Sequence, residues 1–298
     1  MANTLTNLTH TILAQRILNA FTAMIAPIRA FGLNFSDEAV QRGDKVKVLQ
    51  ITAADAAKDW NGSYITQDAD AEGLDITINK RKYVSWGLQT EDLATQPQLE
   101  LDRFVEQKAF QLAKAFLQDV WSQVTAANYG SAAFTGAAST FDTDDIIDIR
   151  GVCQAADWPA GMRSLVLDDT YVTNALKDSS LKDASASGST ASLREGSMGR
   201  VAGFDIFEST LVPGNSQNLV GFAAHPDAML IATRTLIPSS KADDAGVDVE
   251  VIQDEDSGLA MVSKCWHDTA HDTDIHTLEI NYGYRVGNSA ALKRLVSA

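Results

Sequence analysis

The chain has 298 residues, 45% of them hydrophobic, enough for one large or two ordinary domains, which excludes a disordered polypeptide. Its 39 acidic residues outnumber 24 basic ones for a net charge of −15, and no block of lysine and arginine breaks that balance, so the electrostatic footprint of a tight DNA binder is missing. Cys153 and Cys265 lie far apart without CxxC spacing, Met1 to Leu8 has no signal-peptide pattern, and no apolar run approaches the roughly 20 residues that cross a bilayer; a reducing cytoplasm and no membrane partner are expected.

In chain order, Leu8 to Ile28 gives a first helical pattern, with Leu13, Ile17, Phe21, Met24 and Ile28 on one stripe and Pro27 and Gly32 at its end. It fits a helix docked on its own domain or an arm lying on a neighbouring subunit, and the stretch alone favours the first. After Gly43-Asp44 come a strand, Lys45 to Ile51, and an alternating partner, Leu74 to Lys80, which predict an antiparallel hairpin. The 22 residues between them, Thr52 to Gly73, carry Trp60, Tyr64 and Ile65. Connections in compact domains are usually about 4–6 residues, so the segment either folds back on its own domain or rests its aromatics on another chain.

Tyr83 to Leu88 leads through Thr90-Glu91-Asp92 into the longest periodic stretch, Gln98 to Asn128. Leu101, Val105, Leu112, Phe116, Val120 and Val124 recur at helical steps, widened by Phe104, Ala109, Ala113, Leu117 and Trp121. The spacing predicts a spine helix of about 45 Å, with Pro97, Glu100 and Asp102 suited to its start and Gly130 following its end. Small residues from Tyr129 to Phe141 read as a linker into a second unit. There Thr143-Asp144-Asp145 can cap a helix carrying Ile146, Ile147, Ile149, Val152 and Cys153, followed by a strand, Arg163 to Leu167, and a helix, Asp169 to Leu176. Asp178 to Gly199 reads as a mobile surface loop, Val201 to Phe207 as strand with Gly203 at a close approach or bulge, and Leu219 to Ile231 as a buried segment interrupted by His225-Pro226-Asp227. The whole is an inserted α+β domain. From Val247 onward, Val247, Val249 and Val251 alternate with Asp248 and Glu250, and Leu259 to Trp266 and Ile275 to Val286 extend an antiparallel meander with turns at 254–258 and 267–274. Its apolar face needs a cover, which the spine helix supplies.

One cluster bears on catalysis: Cys265, His267, Asp268, His271, Asp272, Asp274 and His276. An HxxxH pair shares a face only on a helix, and these residues read as a turn, so the spacing argues against zinc; a metal-dependent enzyme using Cys265, His267, His271 and His276 is the catalytic alternative. GxSxG, GxxxxGK[ST], HExxH and a dinucleotide fingerprint are all missing, and acid pairs such as Asp144-Asp145 and Asp168-Asp169 suit helix starts. No enzyme and no cofactor are expected.

The ordered layout of arm, long-tipped hairpin, spine helix, inserted α+β domain and closing meander resembles the major capsid proteins of tailed bacteriophages with the HK97-type fold, closest in style to P22-type coat proteins. The phrases Gly43-Asp44-Lys45-Val46, Leu165-Val166-Leu167-Asp168-Asp169-Thr170-Tyr171, Val201-Ala202-Gly203-Phe204-Asp205-Ile206 and Gly221-Phe222-Ala223-Ala224-His225 carry the likeness. It implies an N-terminal arm (1–42), an extended E-loop hairpin (43–88), a spine helix of the peripheral domain (89–130), an axial domain (131–240) and peripheral strands with the C-terminus (241–298). It also implies hexamers and pentamers of the chain in an icosahedral virion shell, assembled in the host bacterial cytoplasm with a separate scaffolding protein, a portal and a decoration protein. Trp60, Tyr64, Ile65, Phe21 and Ile28 are then the expected inter-subunit contacts. An acidic coat fits DNA packaged without tight or sequence-specific binding, because it offers phosphates few cations. An encapsulin-type nanocompartment shell is the alternative on the same fold.

Overall fold

The computed structural model describes residues 17, 19–21, 24–32, 45–54, 59–62, 69–89, 98–182, 198–212, 215–235, 246–253 and 258–298. The long apolar stripe forms the helix Gln98–Trp121. Val105, Ala109, Leu112, Ala113, Phe116, Leu117, Val120 and Trp121 are each at most 1% exposed on its inner side, and large side chains buried this fully stabilise by about 1.5–3 kcal/mol each before entropy is counted. The helix stops seven residues before Asn128. Thr125 takes extended backbone and caps a separate turn, Ala126–Tyr129, which ends on Gly130 at φ 75°. Val124 remains buried across this break, so the apolar stripe runs on where the helix does not.

Among the described residues the strands form three sheets. β1 (Lys45–Ala54) and β2 (Ala69–Thr77) make the expected antiparallel hairpin, paired from Lys45–Thr77 to Ala54–Ala69 with an irregularity between Ile51 and Ala53. Val46, Leu74 and Ile76 at its base pack on Leu230 and Ala232 of the same chain. The strand read from Leu74 to Lys80 is divided: β2 stops at Thr77 and β3 (Lys80–Gln89) belongs to the next sheet. A Cβ at Gly283 would stand 2.1 Å from the Thr77 carbonyl oxygen, so glycine is what lets the two sheets pass at this bend.

The unit after the spine begins with β4 (Ala132–Thr135), the helix Thr143–Ala155, β5 (Arg163–Leu167) and the helix Asp169–Leu176. The cap of the first helix is Asp142, one residue ahead of the expected trio, in a reciprocal capping box with Asp145. β6 (Arg200–Val201) and β7 (Phe204–Glu208) form a tight hairpin, where Ala202 and Gly203 both take positive φ. The expected bulge at Gly203 is therefore a turn, and nothing lies within 4 Å of a Cβ there. β8 (Leu219–Ala224) is followed by a 3-10 turn at Pro226–Ala228 and β9 (Met229–Arg234). The meander comprises β10 (Asp248–Gln253), β11 (Ala260–Asp268) and β12 (Thr273–Val286), and β13 (Leu292–Val296) comes last.

The central sheet runs β10-β11-β12-β3, with β9 on the far half of β12; the six-stranded sheet runs β4-β13-β8-β5-β7-β6. The expected division at residues 240 and 241 changes at two strands. β9, read as axial, pairs with β12, and β13, read as peripheral, lies between β4 and β8. Pairing follows the apolar faces rather than chain order: Leu292 and Leu295 are fully buried in the six-stranded sheet. On β10 the expected valine face also changes, since Ile252 is buried and Val251 is 53% exposed.

Ile17, Phe21, Ile25 and Ile28 are at most 2% exposed and belong to the same core as the spine helix, and Phe31 stacks on Phe222 at 5.5 Å. The docked reading of the N-terminal stretch holds for these residues. Phe21 and Ile28, named above as inter-subunit contacts, are both covered by the chain's own core, which leaves neither side chain exposed to a neighbour. Of the loop read from Asp178 to Gly199, Ser179–Lys182 is a short helix, while 183–197, like the turn at 254–257, lies outside the described residues.

Candidate assembly surface

The base of the β1–β2 hairpin is tied to its own chain, whereas residues 59–62, between its two strands, are exposed. Trp60 is 63% exposed. Tyr64 and Ile65 lie outside the described residues. Between the hairpin root and the spine, Lys80 Nζ donates to both Asp119 carboxylate oxygens at 2.9 and 2.8 Å and to the Tyr284 hydroxyl, and lies 4.4 Å from the Tyr284 ring centroid. Tyr282 donates to the same Asp119 at 2.7 Å. Partial burial would lower the Lys80 pKa, but the bonds to Asp119 and Tyr284 outweigh it and hold the ammonium above its usual range.

On the opposite face of the central sheet, Arg81, Tyr83, Ser85, Lys264, Trp266, Thr277 and Glu279 line a shallow concavity of about 510 Å³. The Glu279 side chain is 2% exposed. Burial alone would raise its pKa, yet it accepts from Lys264 Nζ at 2.8 Å and from the Arg81 guanidinium, and the pair of cations holds it below the usual carboxylate range. Tyr83, beside this triad, is 67% exposed.

On the β11–β12 hairpin His267 sits between Asp274 and Asp272, apart from the His271–Asp268 and His276–Cys265 pairs. His267 Nδ1 lies 2.7 Å from Asp274 and His271 Nδ1 lies 2.7 Å from Asp268. His276 is 3.8 Å from Cys265 Sγ and stacks on Trp86 at 5.7 Å. Burial, with Asp274 and Asp248 nearby, pushes the Cys265 thiol up to about 11. Among the described residues no three His, Cys, Asp or Glu side chains are grouped so as to hold a metal ion. Also among them, no helix is long and apolar enough to cross a membrane.

The reading from sequence missed Asp119, Glu279, Tyr83 and Tyr282. Glu279 did leave a signal, a carboxylate set between Leu278 and Ile280 in an apolar strand.

No protein-family model matches the chain, and no curated protein does. Solved structures do match. A chain from Mycobacterium phage Che8 is 20% identical, with a TM-score of 0.57 and 89% of each chain covered. The capsid structure of cyanophage P-SCSP1u gives 13% identity and a TM-score of 0.58 over 90% of this chain and 86% of that one. The mature capsid of bacteriophage PhiM1 gives 14% and 0.56 over 87% and 83%. At such identities the likeness is one of fold, and that fold is the α+β HK97-type capsid fold.

Proposed function

We propose that the chain is the major capsid protein of a tailed double-stranded DNA bacteriophage, assembling as hexamers and pentamers into the icosahedral shell of the virion. The observation that carries this reading is the shared fold, which extends over about nine-tenths of this chain and of capsid chains such as that of P-SCSP1u. The exposed Trp60 on a long hairpin suits a contact made in a neighbour, and Tyr64 and Ile65 join it in this proposal. The net charge of −15 suits a wall along which packaged DNA slides. The function is structural rather than enzymatic. Assembly in the host cytoplasm on a separate scaffolding protein, with a portal and a decoration protein as further partners, belongs to the same proposal. So do an arm at 1–42, an E-loop at 43–88, a spine at 89–130, and axial and peripheral units whose strands are exchanged as described.

The test is size-exclusion chromatography with electron microscopy of the purified chain, alone and co-expressed with its scaffold. Closed shells are expected, and removal of residues 55–68 is expected to leave a folded chain that forms none. A chain that stays monomeric under both conditions overturns the reading. Nuclease-protected DNA inside particles from infected cells is the result that separates a virus from a cellular compartment.

A further inference from the structure

The central sheet ends in two unlike margins. Among the described residues β3 closes one side and β10 the other. Most of β3 is exposed, and it begins Lys80-Arg81-Lys82, whereas β10 begins Asp248-Val249-Glu250. The register joins these margins in one cross-strand row: Tyr83 pairs with Glu279, Glu279 with Val262, and Val262 with Val251. The row therefore begins and ends on an exposed hydrophobic residue, Tyr83 at 67% and Val251 at 53%.

We propose that β3 of one copy pairs with β10 of the next, so that the sheet continues from subunit to subunit. This rests on the shell reading above and names a joint within it. Each successive pair from β10 to β3 is antiparallel, so β10 and β3 point in opposite directions. A second sheet added with the same face forward meets the first in an antiparallel pairing, as a two-sided sheet requires. Carrying the row straight across sets Tyr83 of one copy on Val251 of the next. Lys82 and Glu250 share the other face, the one toward the spine helix, because Lys82 pairs with Ile280 and Glu250 with Ser263, the partner of Leu278. They stand diagonally across the joint, within reach of long side chains.

Charge also selects the partner edge. With Lys80 and Arg81 already paired to Asp119 and Glu279, Lys82 is the charge this run brings to a joint; two β3 margins would add like charge and two β10 margins would bring aspartate and glutamate together, so unlike edges pair better than like ones. The resulting contact is head to tail, each copy giving one edge and receiving the other, which is the form that closes into a ring under rotation.

The experiment follows assembly of the full chain by analytical ultracentrifugation and electron microscopy, with circular dichroism as the folding control. Lys82→Glu and Glu250→Lys are each expected to raise the chain concentration needed for assembly by about tenfold, and the double variant to return it to near the wild-type value. Val251→Lys, placed on an already exposed site, is expected to leave the monomer folded and to weaken assembly without rescue by either charge change. If wild-type chains form shells and all these variants assemble equally well, the joint is wrong and the shell reading stands. If wild-type chains form no oligomer, both fall.

Discussion

Glu279 shows how one residue can be both costly and stabilising. A carboxylate in an apolar strand loses its water, and only Lys264 and Arg81 keep it ionised. Its folded pKa lies below the ordinary 4.5, so its contribution is complete above that value and disappears as pH falls through the folded pKa. Acid titration of unassembled chain is expected to show a steeper loss of stability as pH falls below 4.5 than in Glu279→Gln, which also costs about 2 kcal/mol at neutral pH by chemical denaturation. Equal acid dependence in the two proteins would remove the triad from the account. Little of this was legible beforehand: Glu279 stood out among apolar neighbours, but Arg81 is 198 positions away and nothing local pairs them.

At the scale of the element, the Lys80–Asp119–Tyr282 network decides how the hairpin root meets the spine. Asp119→Ala leaves the Tyr282 phenol without this acceptor and the Lys80 ammonium with the Tyr284 hydroxyl but no carboxylate, and a loss of about 2–3 kcal/mol in urea denaturation is expected. Asp119→Asn, which still accepts from Tyr282, is expected to lose less. A variant as stable as wild type would mean that the network forms without holding the two elements together. Elements governed by local pattern were readable: the strand Arg163–Leu167 and the helix Asp169–Leu176 fall where apolar runs and a first-turn aspartate put them. Elements whose limits depend on tertiary partners were not. Leu74 to Lys80 alternates without interruption, yet the chain changes sheets at Ile78 and Asn79, because Thr77 and Lys80 are claimed by different neighbours, Lys45 and Tyr282. The spine's end at Trp121 was hidden for a related reason, since Val124 stays in the core after the helix has stopped.

For the whole molecule, the decisive placement is that of β13. It pairs in parallel with β4 and antiparallel with β8, and its Leu292 and Leu295 are fully buried on opposite sides of the sheet, one in the spine-helix core and one under the helices of the second unit. A chain ending before Leu292 is expected to lose amide-exchange protection at Leu219–Ala224 and to fail to unfold in a single transition; retained protection there would show that the sheet is complete without it. The meander predicted from Val247 was legible because its valines alternate, whereas the departure of residues 292–296 into another sheet was not, because a five-residue strand with three apolar residues fits either.

That arrangement also sets a clock. Among the described strands residues 292–296 are synthesised last, so β4 waits through the synthesis of more than half of these 298 residues for the neighbour it needs. Until those residues are made, Leu219–Ala224 lacks the partner that pairs it on one side, so the six-stranded sheet closes late in synthesis whatever the order in which its helices form.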